Sequence, residues 1–212
     1  MKKKQDILYN LFWIFVIASM IGWIIEGLWS FFKKGMLINH SAVVIGPFNM
    51  AYGFSACFFS LFLYKFRNDN NWKIFLVGFL AGSIAEYIMS LGMELVLGFT
   101  AWDYSHKFLN INGRICFTYS LFWGLLSVIW IKYIYPRLEG FLQKINNKWG
   151  YYMTLILIIF LIGDVFLTAL AVKRAKNKEL GLEPKYKYEE ILDKTFNKNY
   201  LQNMYNNSWE RK

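Results

Sequence analysis

Five stretches of this chain stay apolar for longer than a buried strand or a short core helix requires, and polar segments separate them. They run over about 7–32, 46–66, 72–97, 115–135 and 151–172. The hydrocarbon core of a bilayer is about 30 Å thick and takes about 20 mostly apolar helical residues to cross, so each stretch predicts a membrane-spanning helix. Lipid supplies no partner for backbone N–H and C=O groups, and the alternation expected of a barrel strand is missing, which leaves helix as the choice. The predicted fold is an all-α polytopic bundle of about five spans over 1–172, with a polar loop packed at one membrane face. A polar, basic tail over 173–212 follows, carrying a mixed-charge stretch from Lys185 to Lys194 that suits one short helix. No internal repeat, long linker or second domain stands out.

Aromatic residues support these boundaries. Trp29, Tyr64, Trp72, Trp102, Tyr104, Tyr135 and Trp149 fall near the proposed ends, where amphipathic rings favour the headgroup region, whereas Trp13, Trp23 and Trp123 fall inside and are expected to pack within the bundle. The opening Met1-Lys2-Lys3-Lys4 before an apolar run resembles a secretory signal, but 7–25 is long for one and no small-x-small cleavage site closes it, so a retained first helix is expected.

Composition agrees with a lipid environment. Hydrophobic residues make up 56% of the 212 and charged residues only 18%, against about 25% charged in a soluble domain. The net charge of +10 is spread over loops and tail rather than along one face, which argues against nucleic acid as a partner. Cys57 and Cys116 lie in apolar runs with no Cys or His at ligand spacing, so neither a disulfide framework nor a metal site is expected. Orientation does not follow from the basic residues. With the N-terminus inside, Lys2 to Lys4, Lys65, Arg67, Lys73, Lys132, Arg137, Lys144 and Lys148 are cytoplasmic. Lys33, Lys34, Lys107, Arg114 and six of the tail are outside, a tie at ten each.

Acids retained in spans are the informative residues, because a charged side chain at mid-helix costs about 2.5 to 3.5 kcal/mol even on lenient insertion scales. Glu26 lies in the first stretch, Glu86 and Glu94 in the third and Asp164 in the fifth. Ser19, Gly22, Trp23 and Glu26 share one arc of the first helix, and Gly78, Gly82, Glu86, Ser90 and Glu94 form an i, i+4 ladder on the third. Gly78-x-x-x-Gly82 is the spacing that brings neighbouring helix backbones close. If the spans alternate, Glu26, Glu94, His40, Asp103 and Arg114 collect at one membrane face, with Glu86 and Asp164 deeper. Arg114 is the strong counter-charge for a carboxylate there. Each feature also has a plainer reading. Arg114 with Glu94 or Asp103 is then an ion pair locking a loop, Glu86 and Asp164 are internally bonded acids that specify packing, and His40 and Cys57 are incidental. Trp102 and Tyr104, flanking Asp103, are the aromatic residues best placed to shape a site.

The chain has no Gly-x-x-x-x-Gly-Lys phosphate loop, His-Glu-x-x-His, Gly-x-Ser-x-Gly or Cys-x-x-Cys. No catalytic residue, metal or cofactor is assigned, and an enzyme is not expected.

Several motifs carry a family resemblance. Gly22-Trp23-x-x-Glu26, Gly46-Pro47 followed by Tyr52-Gly53, and Glu86-Tyr87 with Glu94 come first. Trp102-Asp103-Tyr104-Ser105, Asn110-x-x-Gly113-Arg114-Ile115-Cys116 and Trp123-Gly124 follow. In this order and spacing the chain resembles the CmpB-type ABC-transporter permeases (putative ABC-transporter type IV), small multi-pass proteins of bacteria. The resemblance covers about 22–124. Asn39-His40-Ser41 stands where Asn-Arg-Gly is common, Met50-Ala51 where Pro-Ile is common, and Ala101 where a second Trp is frequent, as in a divergent member. The resemblance implies a permease-like subunit in the bacterial plasma membrane, working with a separate ATPase.

Three functions therefore compete. One is transport of a small solute or ion through the polar residues Glu26, Glu86, Glu94, Asp103, Arg114 and Asp164. Trp23, Gly46, Pro47, Tyr52, Gly53, Trp102, Tyr104, Ser105, Asn110 and Gly113 would shape that site. Five spans in 25.2 kDa are few for a complete transporter, so oligomerisation or a second membrane subunit is expected, with 132–148 as the surface for an ATPase. The second is a non-transporting scaffold or sensor, and the third an intramembrane enzyme using Glu26, Glu94 and Asp103.

Overall fold

In the computed structural model, the residues described are 2–97, 100, 102–197, 200, 201 and 204; for 2–6, 93, 96 and 97 the description is of the helix backbone alone. Ala101 and the end of the tail, 205–212, lie outside them. The helices are α1 (Lys2–Lys34), α2 (Met50–Leu63), α3 (Asn71–Leu97), α4 (Phe117–Ile129), α5 (Tyr135–Ile145), α6 (Lys148–Glu179) and α7 (Lys187–Thr195). A 3₁₀ turn, Tyr64–Phe66, extends α2, and a π turn, Trp130–Ile134, joins α4 to α5. One isolated bridge between Ile111 and Ile115 is the only β pairing among the described residues.

The protein is an all-helical membrane protein of about five spans. Among the described residues, four helical stretches are long and apolar enough to cross a bilayer: Ile7–Lys34, Asn71–Gly92, Phe117–Ile145 and Lys148–Glu179. Met50–Phe66 is shorter. At 1.5 Å per residue, the 14 residues of α2 rise about 21 Å, less than the hydrocarbon thickness. Several ends differ from the sequence reading for local reasons. The second apolar stretch begins as loop, because Ser41 and Pro47 organise 41–48 into a turn. The fourth continues past Tyr135 to Ile145. Pro136 lacks the N–H that would pair four residues back, and the widened π turn immediately before it absorbs the misfit.

Helix termini follow from capping chemistry. Gly35 ends α1 with φ +71°, its N–H donating to the Phe31 carbonyl at 2.8 Å. Asn70 Oδ1 accepts from the Lys73 N–H at the start of α3, and Asn147 Oδ1 accepts from Trp149 and Gly150 at the start of α6.

The chain divides into two compact units, the first formed by the start of α1 up to Phe15 with Phe54–Asn146, the second by Val16–Gly53 with the described chain after Asn147. In the first unit α3 packs closely on α4. The predicted glycine contact is there: a Cβ at Gly78 would overlap the Ser127 side chain, and one at Gly82 would lie 2.5 Å from Trp123 Cβ. Ser83 Oγ meets Ser120 Oγ at 2.6 Å across the same interface. Trp130 Nε1 donates to Ser60 Oγ, and Lys132 Nζ donates to the carbonyls of Arg67 and Asp69 at 2.8 Å each, so α2 and its exit turn are tied to the π turn.

In the second unit, Val44 of the 35–49 loop is buried with Ala171, Leu192 and Leu201. Past the apolar stretch, α6 runs on to Glu179, and the stretch from Lys185 to Lys194 supplies most of α7. Arg174, buried on α6, donates through Nε and Nη2 to the Asp193 carboxylate and through Nη1 to the Leu182 carbonyl, while Tyr200 Oη donates to the Val44 carbonyl. An apolar Leu192 face plus one charge-assisted pair thus folds the early tail back onto α6 and the loop.

Two outcomes test this packing. Gly82→Val should cost about 1 to 3 kcal/mol by overpacking and lower the unfolding temperature in detergent, whereas Gly92→Val, whose Cβ meets nothing within 4 Å, should leave it within error; equal effects would refute the close α3–α4 contact. Asp193→Asn should release α7, seen as faster proteolysis between Leu180 and Tyr186 without loss of the bundle.

Candidate functional site

Glu86 on α3 is 4% exposed and is met from two directions. Trp123 Nε1 of α4 donates to Oε2 at 2.8 Å, and the Tyr104 hydroxyl of the 102–116 loop donates to Oε1 at 3.2 Å. Both oxygens act as acceptors, the arrangement that suits an ionised carboxylate. Tyr104 is held by stacking on Tyr119, ring centroids 4.5 Å apart, and by its N–H donating to the Gly113 carbonyl at 2.7 Å. Burial and then the Glu86 charge push the Tyr104 phenol well above its ordinary range, so it keeps its proton and remains a donor.

The loop owes its shape to Asn110, Asn112 and Gly113. Asn110 Nδ2 donates to the carbonyls of Ser105 and Lys107, and its Oδ1 accepts from Gly113 N–H. Asn112, at φ +53°, donates to the Tyr87 hydroxyl. Gly113 sits at φ +67° with its Cβ position 2.6 Å from Asp103 Oδ1, so a side chain there meets both backbone strain and the acid. Trp102 Nε1 donates to the Arg114 carbonyl at 2.8 Å.

Arg114 pairs with Glu94 through Nη2; its Nη1 donates to Ser90 Oγ at 3.3 Å, and its guanidinium lies over the Tyr87 ring. The hydrogen bond to Glu94 holds the guanidinium above its ordinary value. Glu94 lies in the last turn of α3, and its side chain is 48% exposed. Asp103 Oδ1 accepts from the Ser105 N–H at 3.0 Å. An apolar groove of about 380 Å³ between α3, α4 and this loop has the Ser83–Ser120 pair among its lining, and Glu86 does not line it.

Glu26 belongs to the second unit. Tyr52 Oη donates to its Oε1 at 2.8 Å, and Gly22, one turn before, lies under the Tyr52 ring so closely that a Cβ would overlap it. Ser30 Oγ donates to the Glu26 carbonyl at 2.9 Å and lies 2.6 Å from His40 Nε2. The one hydroxyl proton is used on the carbonyl, which assigns the proton to His40 Nε2. Trp23 Nε1 donates to Asn39 Oδ1 at 2.7 Å and orients the same loop. Burial pushes the His40 imidazole below its ordinary value, the Glu26 charge opposes this, and Lys34 adds to it.

Asp164 forms a third constellation. It is 3% exposed on α6, its Oδ1 accepts the Ile45 N–H at 3.0 Å, and Oδ2 has no partner among the described residues. One turn on, Thr168 Oγ1 donates to the Asp164 carbonyl and accepts the Val44 N–H. Ser41 Oγ lies 2.8 Å from the Gly46 carbonyl, and Gly46, at φ +90° before Pro47, makes the turn that points Val44 and Ile45 at α6.

Of the sequence-predicted residues, the structure therefore joins Glu86 with Tyr104, Glu94 with Arg114, Glu26 with Tyr52, and Asp164 with the Gly46-Pro47 loop. Gly53 follows Tyr52 on α2. Trp123, read as bundle packing, is a direct donor to Glu86. Ser30 and Thr168, which the sequence reading does not name as site residues, each follow an acid by four residues, as Ser90 of the ladder does, a visible signal.

Acidification tests the Glu26 constellation. A folded-state value below about 6.5 means the folded chain binds fewer protons than the unfolded one in the window below that value, so stability rises with pH there and is lost as pH falls. Amide protection in 38–49, corrected for the intrinsic exchange rate at each pH, should fall as pH drops below about 6.5 and do so less in His40→Gln; an unchanged profile would remove His40 from the network.

The family described as a putative ABC-transporter type IV matches the chain over residues 13–169. No curated protein and no solved structure matches it.

Proposed function

The chain belongs to the family described as putative ABC-transporter type IV, and from that membership we propose that it is the membrane-spanning, permease-like subunit of an ABC-type transporter in a bacterial plasma membrane. It works with a separate ATPase, since the sequence has no phosphate-binding loop of its own. Few spans favour a second copy or a second membrane subunit in the assembly. Its cargo is a small solute or ion that meets Glu86.

One observation carries this reading: Glu86, inside the Asn71–Gly92 span, is buried and bonded through both oxygens to neutral donors, with no ion pair among the described residues. Ionised acids in spans are costly and mark pathways for charged or polar cargo. Glu26 and Asp164 of the second unit are separate candidate groups for the cargo, and Arg114, Glu94 and Asp103 hold the 102–116 loop beside Glu86. The proposed coupling surface for the ATPase is 132–148, where α5 exposes Arg137 and Phe141. The competing reading, a scaffold without transport, draws on the clamping of the 102–116 loop to α3 by Arg114, Asn112 and Tyr104.

Affinity purification of the chain from its native membranes should retain an ATPase, and reconstitution should make its ATP hydrolysis depend on the chain. Glu86→Gln should reduce that coupled hydrolysis about tenfold, about 1.4 kcal/mol, with assembly intact. Retention of no ATPase, or hydrolysis indifferent to Glu86→Gln, would favour the scaffold.

A further inference from the structure

No repeat stands out along the sequence, yet two stretches of the chain build the same polar element. Residues 21–30 and 81–90 share only four of ten identities, Gly22 with Gly82, Ile24 with Ile84, Glu26 with Glu86 and Ser30 with Ser90. The tertiary relations of those residues match one by one. Gly22 lies under the ring of Tyr52 and Gly82 under that of Trp123, each ring coming from the next helix. The polar atom of that ring donates to the glutamate one turn on, Tyr52 Oη to Glu26 and Trp123 Nε1 to Glu86, both at 2.8 Å. A glycine follows each ring, Gly53 and Gly124. The serine a further turn on meets a side chain of the intervening loop, Ser30 with His40 Nε2 at 2.6 Å and Ser90 with Arg114 Nη1 at 3.3 Å.

We infer that the chain contains a duplicated helix–loop–helix element, and that Glu26 with Tyr52 and Glu86 with Trp123 are two equivalent stations for a small monovalent cation. That the cation is moved rests on the permease reading above; that it binds does not.

The charge comes from the surroundings of the two acids. Both lie in candidate spans, Ile7–Lys34 and Asn71–Gly92, and neither is in an ion pair among the described residues. The titratable groups around Glu86 are Tyr104, with Tyr119 and Cys116 behind it, and the Arg114 charge is taken by Glu94. Around Glu26 they are Tyr52, His40 and, beyond His40, Lys34. Each station therefore presents one carboxylate whose charge no protein cation neutralises. One added positive charge balances it, whereas a divalent ion would leave a surplus and ordinarily collects several carboxylates. Oxygen lone pairs of the carboxylate and of neighbouring hydroxyls are the available ligands.

Dicyclohexylcarbodiimide tests both stations in the full chain without any substitution. It takes up the carboxyl O–H of an acid in an apolar environment across its N=C bond and leaves a stable N-acylurea, which peptide mass spectrometry assigns to a residue. The chain in detergent is labelled at fixed pH in choline chloride, then in sodium, potassium or ammonium chloride of equal ionic strength. Labelling of Glu26 and Glu86 should fall together, about tenfold when one of these cations reaches about ten times its dissociation constant, with one shared midpoint. Protection of one glutamate alone would overturn the equivalence, and labelling that follows pH but none of the cations would overturn the cation. If choline leaves both unlabelled, the unfolding temperature decides. A cation-dependent rise is expected in the parent chain, reduced equally in Glu26→Gln and Glu86→Gln and absent in the double variant, and no rise in the parent overturns the inference. Joint protection without ATPase coupling would leave the stations standing and remove the permease reading; coupling without protection would do the reverse.

Discussion

An acid placed in an apolar helix has to be met by hydrogen-bond donors, and the organisation of this chain depends on how that need is met. Donors reach the three buried or half-buried acids from the adjoining loop or the next helix, not from a cation. Glu86 receives Trp123 and Tyr104, Glu26 receives Tyr52, and Asp164 receives the Ile45 N–H. A hydrogen bond to a charged group is worth about 1.5 to 3 kcal/mol, and leaving such a group unsatisfied costs more. The loops that carry Tyr104 and Ile45 are therefore parts of the bundle.

That requirement propagates into backbone geometry. Delivering Trp123 to Glu86 brings α4 against α3 at Gly82, and delivering Tyr52 to Glu26 brings α2 against α1 at Gly22; a Cβ at either position would occupy the ring's place. A hydroxyl one turn beyond each acid then reads the loop: Ser30 meets His40, Ser90 meets Arg114, and Thr168 meets the Val44 N–H. Glycine before, acid between and hydroxyl after is thus a unit of construction on α1 and α3, and α6 uses the acid and hydroxyl without the ring.

Function follows from the same economy. Neutral donors orient a carboxylate without cancelling its charge, which is the ground for the cation stations proposed at Glu26 and Glu86. Arg114 and Arg174 are spent on Glu94 and Asp193, where they lock a loop and the early tail. Membership of a transporter family and the placement of such acids in spans point the same way.

The helical, membrane-spanning architecture was legible in the sequence, because hydrocarbon thickness and backbone hydrogen bonding act on runs of local composition. Acids in apolar runs, the Gly78-x-x-x-Gly82 contact and the pairing capacity of Arg114 were legible for the same reason: each follows from helix period and the cost of burying charge. Which partner each acid takes was decided only in three dimensions. Arg114 reaches Glu94 and Ser90 on α3, and Trp123 becomes a donor because Gly82 leaves room beneath its ring. The likeness of the Glu26 and Glu86 elements is likewise tertiary. It resides in the direction of hydrogen bonds between residues 26 to 37 positions apart, and four identities in ten give little sign of it because Tyr and Trp supply the same donor from different side chains.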